Sequence, residues 1–458
     1  MKRFIKYTLL IVVAASLSSC HIYKKYELPD DNAVINDYRK ALEAEKDSTS
    51  LPYLGWRQVF TDPLLQNLIS TALENNTNLD NARLNVDIAR AQLKGAKLSY
   101  FPSLALNPNG GTASYGGSHM NWSYTIPAAL NWEIDAFGKI LNRKRGAKAS
   151  VEQTEAYRQA AQSQIVCAVA STYYAIVLLN EQLTLTRNTA DIWKDQVESM
   201  KLMKEAGMVT AAGVSQSEAN YYSILASIPD LEQQLKITQN AMSLLLNTYP
   251  QEWEVTSSLD FDIPSNLVSS LPLSYLAARP DVAAAERSLA VAYYATNSAR
   301  ANFYPSINIS AQGGFTNLLG SIISNPGKWF IQLAGQLTAP LFSRGQNIAT
   351  LEAAKASQKV AMNNFEYAVL SAASDVSNAM VKYNKNSEKR VNVEKEVEAL
   401  EKSVEYTQEL LTYNKSTTYL EVLTARSSLL QAQLASLSCW HNKTTALIEL
   451  YQAVGGGR

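Results

Sequence analysis

The positions of the prolines constrain most strongly what this chain can fold into. No proline lies between Pro127 and Pro229, and none follows Pro340. Proline breaks a helix interior, and both stretches are rich in good helix formers, so each can hold helices much longer than three or four turns. A single helix from Lys139 to Ala206 would be on the order of 100 Å long at about 1.5 Å per residue. Long helices are therefore predicted in both halves.

Both proline-poor stretches carry the heptad spacing of a coiled coil. Apolar or small residues recur at alternating steps of four and three, which places them along one seam of a helix. An ordinary soluble helical bundle would show the same seam. The seam residues are Ile165, Val169, Thr172, Ile176, Leu179, Leu183, Thr186, Ala190, Trp193, Val197 and Met200, then Val393, Val397, Leu400, Val404, Thr407 and Leu411, then Leu420, Leu423, Ser427, Leu430, Leu434 and Leu437.

Two other segments alternate like β-strands with one apolar face. Residues 120–135 and 329–341 alternate apolar with largely polar or small side chains. This pattern fits strands that meet lipid outside and water inside. Shorter alternations before the Gly/Asn/Ser-rich segments 107–118 and 313–327 predict two hairpins with surface loops. The residues expected to face the membrane are Trp122, Tyr124, Ile126, Trp132, Trp329, Ile331 and Leu333.

The same landmarks recur in both halves, which indicates an internal duplication. Each half reads helix, β-hairpin, long helix, turn, helix. Chance similarity between Ala-rich helices could produce the helical matches, but not the matched Pro, Trp and Gly positions. The landmarks pair Pro102 with Pro305, Trp122 with Trp329, Gly138 with Gly345 and Val214 with Val422.

Two hairpins supply four strands, and four strands cannot close a barrel. An open edge in lipid leaves backbone groups unpaired at a cost of several kcal/mol each, so the strands must be pooled with those of other copies. Eight strands from a dimer would enclose only side chains, whereas twelve from a trimer could leave an opening. Backbone pairing alone permits either assembly.

The N-terminus reads as a targeting segment. A basic start and a short apolar run lead to Leu17-Ser18-Ser19-Cys20, which resembles the lipobox of bacterial lipoproteins. A plain secretory peptide shares the charge and apolar pattern, but the cysteine directly after small residues favours lipidation of Cys20. His21 in the next position favours the outer membrane. The best later candidate for a membrane helix, 165–179, is shorter than the ~20 apolar residues a span needs, so any crossing should use strands.

Composition and side-chain chemistry give no sign of an enzyme. Lysine plus arginine and aspartate plus glutamate number 41 each, which does not favour nucleic acid as a partner. Three cysteines and three histidines are too few and scattered for a disulfide framework or a metal site. Glu133 and Asp135 read as solvated carboxylates near a strand end, not as a catalytic pair. Cys167 and Cys439 read as small core residues, although a disulfide between them stays open. We predict no catalytic residue, cofactor or metal.

Four motifs resemble those of the outer membrane factor family, the TolC-like exit ducts, within its lipoprotein branch serving RND-type drug-efflux pumps. The resemblance covers essentially the whole mature chain. The motifs are Leu130-Asn131-Trp132-Glu133-Ile134-Asp135-Ala136-Phe137-Gly138, Arg279-Pro280-Asp281-Val282 with Ala285-Glu286, Leu420-Glu421-Val422-Leu423-Thr424-Ala425 and Tyr451-Gln452-Ala453-Val454-Gly455-Gly456-Gly457.

The resemblance implies a mainly α fold with a transmembrane β part. Three copies would form a twelve-stranded β-barrel in the outer membrane and a twelve-helix α-barrel in the periplasm. A periplasmic adaptor and an inner-membrane RND-type pump would complete the machine.

The predicted organisation has four parts and an equatorial region. The equatorial parts are about 249–276, the stretch near 384 and the C-terminus. The four parts are a signal peptide at 1–19, an anchor and extended segment at 20–60, a first repeat at 61–260 (hairpin about 102–135, long helices about 138–247) and a second at 261–458 (hairpin about 305–342, long helices about 345–452).

The resemblance also marks two kinds of site. The turns at the periplasmic tips would meet the adaptor, and plain solvated turns are the less favoured alternative. The gate would be apolar and hydrogen-bonded, because threonines and a glycine stand where the family often has charged residues (Thr412, Thr424 and Gly213). The tip residues are Gly207, Met208, Val209, Thr210, Lys415, Ser416, Thr417 and Thr418, and the gate residues are Tyr413, Leu420 and Thr424.

The leading prediction is a passive exit duct for small molecules such as drugs. A duct for type I protein secretion and a structural coiled-coil lipoprotein without a pore are the alternatives. The alternating strands argue against the pore-less lipoprotein.

Overall fold

The computed structural model describes residues 23–29, 32–44, 50–113, 121–257, 259, 261, 275–318, 328–413 and 419–457. Its helices are α1 (Ala33–Glu43), α2 (Trp56–Val59), α3 (Pro63–Asn75), α4 (Thr77–Leu98), α5 (Lys139–Glu205), α6 (Ala211–Leu245), α7 (Tyr275–Ala278), α8 (Pro280–Ala301), α9 (Gln346–Tyr413) and α10 (Tyr419–Ala453). Its strands are β1 (Ser103–Leu106), β2 (Asn109–Ala113), β3 (Asn121–Ile134), β4 (Ser306–Leu318) and β5 (Lys328–Thr338).

The lengths of the helices show the internal duplication directly. Helices α4 and α8 each have 22 residues, and α6 and α10 each have 35. The long helices α5 and α9 have 67 and 68 residues. Gly138 and Gly345 lie immediately before the two long helices. Both have positive φ, at 71° and 79°. The two halves therefore share element lengths as well as sequence landmarks.

The duplicated halves do not form separate compact units. One unit takes in the described residues of the ranges 1–31, 84–156 and 283–367. The other takes in 32–83, 157–282 and 368–458. Each unit draws on both repeats because the long helices run from one unit into the other.

The first unit contains an antiparallel sheet with the strand order β1-β3-β4-β5, in which β2 also pairs with β3. Strands β1 and β2 follow a single register against β3, with Leu106 opposite Ala128 and Asn109 opposite Thr125. The short break between them contains Pro108, which has no N–H to donate to the ladder. The first hairpin is thus one ladder with a proline interruption.

Three strand boundaries differ from the sequence prediction. Residues 109–113 and 313–318, expected in loops, are strands β2 and the end of β4. Their glycines hide the alternation of side chains, but pairing uses only the backbone. Strand β5 ends at Thr338 instead of near Leu341, because Pro340 disfavours further pairing.

The second unit contains a large hydrophobic core, and residues from each predicted equatorial segment belong to it or pack against it. Phe261, Tyr451 and Val454 belong to it, and Trp253 and Tyr383 pack against it. Tyr173 of α5 donates from its hydroxyl to Asp62 Oδ2 at 2.6 Å and accepts from Thr256 N at 2.9 Å. Burial raises the pKa of Tyr173 well above its usual range, so the phenol stays protonated and keeps donating.

Arg279 of the predicted mid-chain motif ties three helices of this unit together. Its Nη1 donates to the Ala453 carbonyl near the end of α10 at 2.8 Å, and its Nη2 lies 3.0 Å from Asp375 Oδ2 of α9. Its Nε donates to Asp281 Oδ1 at 3.0 Å. Because the side chain is only 9% exposed, these charge-assisted bonds hold a desolvated cation. The motif is therefore a structural junction.

The coiled-coil seams are buried to different degrees. Every predicted seam residue of α5 is buried except Thr172, which is half-buried. On α9 only Val393 is buried, and the other seam positions are half-buried. On α10 Leu423 is buried, Leu420 is exposed and the rest are half-buried. The seams of α9 and α10 are thus incompletely covered within one chain.

The segment 20–60, predicted to be extended, contains helix α1. The Asn32 side chain caps its N-terminus by accepting from Ile35 N at 3.0 Å. Ile35, Tyr38 and Ala41 form its buried face at helical spacing. The prediction missed a short amphipathic helix whose cap and spacing were both present in the sequence.

Helix α5 contains a stretch long and apolar enough to cross a membrane by length and composition alone. However, 61% of that stretch is buried within the protein, and Ile165, Val169 and Ile176 belong to the hydrophobic core. This is the property of a core helix.

The C-terminal glycines test how tightly this core is closed. A Cβ added at Gly456 would lie 2.2 to 2.5 Å from the buried Tyr451 ring. We expect Gly456→Ala to destabilise the protein by roughly 1–3 kcal/mol through overpacking and to lower its Tm. Gly95→Ala is the control, because no neighbouring atom lies within 4 Å and alanine is the better helix former. Equal Tm values in thermal unfolding of the two purified variants would contradict this packing.

Candidate channel surfaces

The register of the sheet places most of its large apolar side chains on one face, with Phe330 of β5 on the other. Ile126 pairs with Phe315, Phe315 with Trp329, and Trp132 with Ile309. Residues paired across neighbouring strands share a face. The predicted membrane-facing residues Tyr124, Ile126, Trp132, Trp329, Ile331 and Leu333 fall on this face by register, and the side chain of Trp122 lies outside the described part of the structure.

The same face is exposed in the single chain. Trp329 is 71% exposed, and Ile331 and Leu333 are each 75% exposed. The opposite face carries polar residues, including Gln312 opposite Gln332. An exposed, contiguous apolar face on a sheet whose other face is polar indicates a surface that contacts apolar surroundings.

The sheet has two edges among the strands that the structure describes. Strand β5 forms one edge, and β1 with β2 forms the other. Each of these described edge strands has a neighbouring strand on one side only, so its outer side is available for pairing with a strand of another copy. The apolar face is continuous from edge to edge.

The two central strands approach closely at Pro127 and Gly314, which are paired in the register. A Cβ on Gly314 would lie 2.1 Å from the Ile126 carbonyl oxygen and 2.8 Å from Pro127 Cα. Only glycine fits at this crossing. Gly335 on β5, in contrast, has no neighbour within 4 Å of an added Cβ.

Glu133 and Asp135 hold the junction between the sheet and the first long helix. Asp135 Oδ1 accepts from Ile140 N at 3.0 Å, and Oδ2 accepts from Leu141 N at 2.6 Å. A carboxylate at a helix N-terminus satisfies N–H groups that have no partner within the helix. Glu133 pairs with Lys139 at 3.2 Å, with both side chains more than a third exposed. These contacts assign structural roles to both carboxylates.

The first tip turn joins α5 to α6 through a tight glycine turn. Met208 N donates to Met203 O at 2.9 Å and Gly207 N to Lys204 O at 2.9 Å, the pattern of a Schellman motif. Gly207 has φ +70°. Thr210 then caps α6 by accepting from Gly213 N at 3.3 Å. Met208 is 63% exposed, so the turn presents an apolar side chain to its surroundings.

The predicted gate residues whose side chains the structure describes, Leu420 and Thr424, lie on an exposed face of α10. Leu420 is 62% exposed, and Thr424, one turn later, donates to the Leu420 carbonyl at 2.8 Å. Val422 and Leu423 point into the protein and are buried. Residues 415–418 of the second tip turn and the side chain of Tyr413 lie outside the described part of the chain.

Sequence reasoning missed Arg426, which lies two residues after Thr424. Its side chain lines a cleft of about 290 Å³ together with Trp193 and Ile192 of α5. Burial lowers the pKa of this guanidinium, an effect that Tyr419 opposes. The helical register could have indicated that Arg426 turns away from the Leu420 face.

Cysteines and histidines form no centre in the part of the chain that the structure describes. Cys167 and Cys439 are both free and buried, so the disulfide left open by the sequence does not form. Burial raises the pKa of the Cys167 thiol to about 12. The described residues contain no group of three or more metal-ligating side chains. Cys20, His21 and His119 lie outside them.

Comparison with known proteins identifies the family. The sequence profile of the outer membrane efflux protein family matches residues 68–248 and 271–456, which is most of the chain. The chain belongs to this family.

Relatives agree along almost the full length. The probable outer membrane lipoprotein SilC of Salmonella typhimurium is 28% identical over 414 residues, covering 88% of each chain. The probable efflux pump outer membrane protein TtgC of Pseudomonas putida is 26% identical, covering 98% of this chain and 95% of TtgC. The MtrE outer membrane channel of Neisseria gonorrhoeae superposes with a TM-score of 0.81 at 27% identity, covering 95% of this chain and 97% of MtrE.

These findings confirm the predicted family and fold class, a mainly α chain with a β part. They also confirm that the protein is an outer-membrane efflux channel and that it resides in the outer membrane.

The close approach at Gly314 gives a test of the sheet. We expect Gly314→Ala to separate β3 from β4, because the added methyl would overlap the Ile126 carbonyl, and so to reduce the amount of heat-resistant oligomer on gels several-fold. Gly335→Ala is the matched control on the neighbouring strand and should behave like the wild type. Normal oligomer from Gly314→Ala would rule out this pairing.

Proposed function

We propose that three copies of this chain close their sheets into one twelve-stranded barrel that crosses the outer membrane. The observation that carries this proposal is a sheet with an apolar face and two open edges. Pairing the β5 edge of one copy with the β1/β2 edge of the next would satisfy the edge backbone groups and leave no edge in lipid. Trp329, Ile331 and Leu333 would then face the hydrocarbon, and Gln312 and Gln332 the water-filled interior.

The partly covered seams of α9 and α10 support the same assembly for the helices. Half-buried heptad positions such as Val397, Val404 and Leu430 keep apolar area exposed in one chain. Packing against helices of neighbouring copies would bury that area, at roughly 25 cal/mol per Å². Four long helices from each of three copies give the twelve-helix periplasmic tube.

The assembled tube would conduct small molecules such as drugs passively, with energy supplied by an inner-membrane RND-type pump through a periplasmic adaptor. The polar face of the sheet would line the channel with polar side chains and would not form a dedicated binding pocket. TtgC, which is similar along its whole length, is named as an efflux pump protein, which favours efflux over protein secretion. No observation favours the pore-less lipoprotein.

Cys20 would anchor the chain to lipid. The Leu17-Ser18-Ser19-Cys20 motif supports acylation of the cysteine, and the relative SilC is named as an outer membrane lipoprotein. Acyl chains contribute roughly 0.8 kcal/mol per buried methylene, so they tether the chain without spanning the bilayer.

The tip turns would receive the adaptor. Gly207, Met208, Val209 and Thr210 form a rigid turn, fixed at both ends by the glycine and the threonine cap, with an exposed methionine at its apex. A preorganised apolar apex binds a partner with little ordering cost. Residues 415–418 would form the matching turn of the second repeat.

Leu420, Thr424 and Tyr413 would form the gate. Leu420 and Thr424 share an exposed helix face that neighbouring copies could bring together. With threonine in place of charged residues, closure would rest on apolar contact and hydrogen bonds, so salt should change it little.

The function is tested by single-channel recording of the detergent-purified protein in a planar bilayer, with its mass measured in parallel. We expect a trimer with small, mostly closed currents. In the same recordings, Leu420→Ala should raise the open conductance several-fold because it removes the main apolar obstacle. Leu42→Ala, at an exposed leucine of α1, should leave the current unchanged. A monomer without current would refute the pore, and unchanged current in Leu420→Ala would refute the gate alone.

The adaptor contact is tested at Met208. We expect Met208→Lys to weaken efflux, measured as increased drug sensitivity of cells that depend on this channel, because a charge replaces the apolar apex. The amount of trimer and its conductance should stay normal, as should efflux by Leu42→Lys. Normal efflux in the Met208 variant would show that this turn is only a solvated connection.

A further inference from the structure

The cleft beside Arg426 lies within the second compact unit, between three helices of one chain. Its walls come from α5, α9 and α10, so both repeats contribute to it. Arg426 follows Thr424 by two residues on α10, which places it on the opposite side of that helix from the proposed gate face, at about 100° per residue. The cleft is therefore separate from the sheet and from the proposed gate.

The cleft holds a positive charge that its own walls do not offset. Among the described residues that line it, Arg426 alone is charged. The side chain of Arg426 is half-buried, and its Nε–H is buried without a hydrogen-bond partner in the described part of the chain. Burial lowers the pKa of the guanidinium, but an arginine side chain stays protonated in proteins. An anionic group would complete this cleft.

A second donor on the wall of the cleft also lacks an acceptor. Trp193 of α5 lines the cleft and is only 1% exposed. Its indole Nε1–H has no hydrogen-bond partner among the described residues. Buried N–H groups are nearly always hydrogen-bonded, because an unpaired one has lost its bond to water without a replacement. Two such donors on side chains of one cleft indicate a site for a ligand that carries acceptor atoms.

The internal duplication shows that the unpaired charge is specific to the second repeat. Val214 corresponds to Val422, so Glu218 of the first repeat occupies the position equivalent to Arg426. Glu218 forms an ion pair with Lys201 at 3.4 Å, and both side chains are more than a third exposed. The first repeat thus has a paired, exposed charge where the second has an unpaired, half-buried one. A cation of this kind is not part of the shared helical design.

The apolar walls of the cleft select for an organic anion. Leu185 and Ile192 of α5 and Leu429 of α10 line it together with the Trp193 ring. Its volume of about 290 Å³ is near the lower end of the range for small-molecule sites, which begins at roughly 300 Å³. An inorganic anion would match the charge but leave these walls in water, whereas the apolar body of an organic anion would cover them.

We propose that this cleft binds an amphipathic organic monocarboxylate, an acid with an aromatic or aliphatic body. The carboxylate accepts hydrogen bonds from Arg426 Nε and a neighbouring Nη, the planar fork that a guanidinium offers. The apolar body lies against Trp193 and Leu429. Glu181 lines an adjoining cleft that shares Leu185, and its carboxylate repels a negative charge there, which orients the ligand. The site goes beyond the proposed channel and does not depend on it, because every wall residue belongs to one chain.

Binding is tested by isothermal titration calorimetry of the full-length protein, purified in a non-ionic detergent, with sodium cinnamate. Protein-free micelles serve as the blank. We expect one site per chain. Cinnamamide, which has the ring without the charge, and acetate, which has the charge without the ring, should each bind at least ten-fold more weakly. Equal affinity for cinnamamide would overturn the role of the guanidinium, and equal affinity for acetate would overturn that of the apolar walls.

The residue assignment is tested with two variants that each remove one positive charge. Arg426→Gln should weaken cinnamate binding at least ten-fold. Lys201→Gln, which removes a cation already paired with Glu218, should bind like the wild type. Cinnamate should raise the Tm of the wild type and of Lys201→Gln but not that of Arg426→Gln, because a ligand stabilises only the protein that binds it.

Two outcomes would overturn the site. Unchanged cinnamate binding in Arg426→Gln would show that the ligand lies elsewhere. A wild-type protein that binds no cinnamate would refute the ligand altogether, and loss of trimer in Arg426→Gln would then assign the guanidinium to a carboxylate of a neighbouring copy.

Discussion

The rest of the structure depends on the requirement that backbone N–H and C=O groups be paired where water is absent. Within one chain, the β5 edge and the β1/β2 edge of the sheet remain open, which is tolerable in water but not in hydrocarbon. The sheet is therefore incomplete as a membrane element until copies supply the missing partners. Duplication of a hairpin doubles the strands without removing this dependence, since four strands still cannot close.

Where the sheet passes into helix α5, the first backbone N–H groups of the helix also need hydrogen-bond partners. Helix α5 begins at Lys139 with N–H groups that lack helical partners, and Asp135 accepts two hydrogen bonds from the backbone of its first turn. Gly138 turns the chain with φ +71°. The sequence predicted only a solvated carboxylate at Asp135, whereas in the structure this side chain completes a helix terminus. Lys139, the first residue of α5, forms an ion pair with Glu133.

Sequence periodicity predicted the long helices and the strand β3 well, because each is a long run with a single period. It failed at 109–113 and 313–318, where glycines have no side chains to alternate. It failed at α1 because one short helix is easily lost in a polar segment. The contacts of residues 23–29 could not be predicted at all, because Tyr23 and Tyr26 look ordinary until folding brings Tyr293, Tyr294 and Gly138 beside them. Contacts between distant residues leave no local signal.

The duplication also bears on the absence of charges from the proposed gate. Two copies of one design are free to diverge wherever only one must carry a given role. At the tips, Gly213 of the first repeat lies near Met200, while Thr424 of the second bonds its own helix backbone. A charge at either position would need a partner in the other repeat or another copy, and losing one alone would strand its partner. Without a charge at either position, the surface proposed as the gate is apolar and hydroxyl-bearing, and its closure would require no obligatory ion pair.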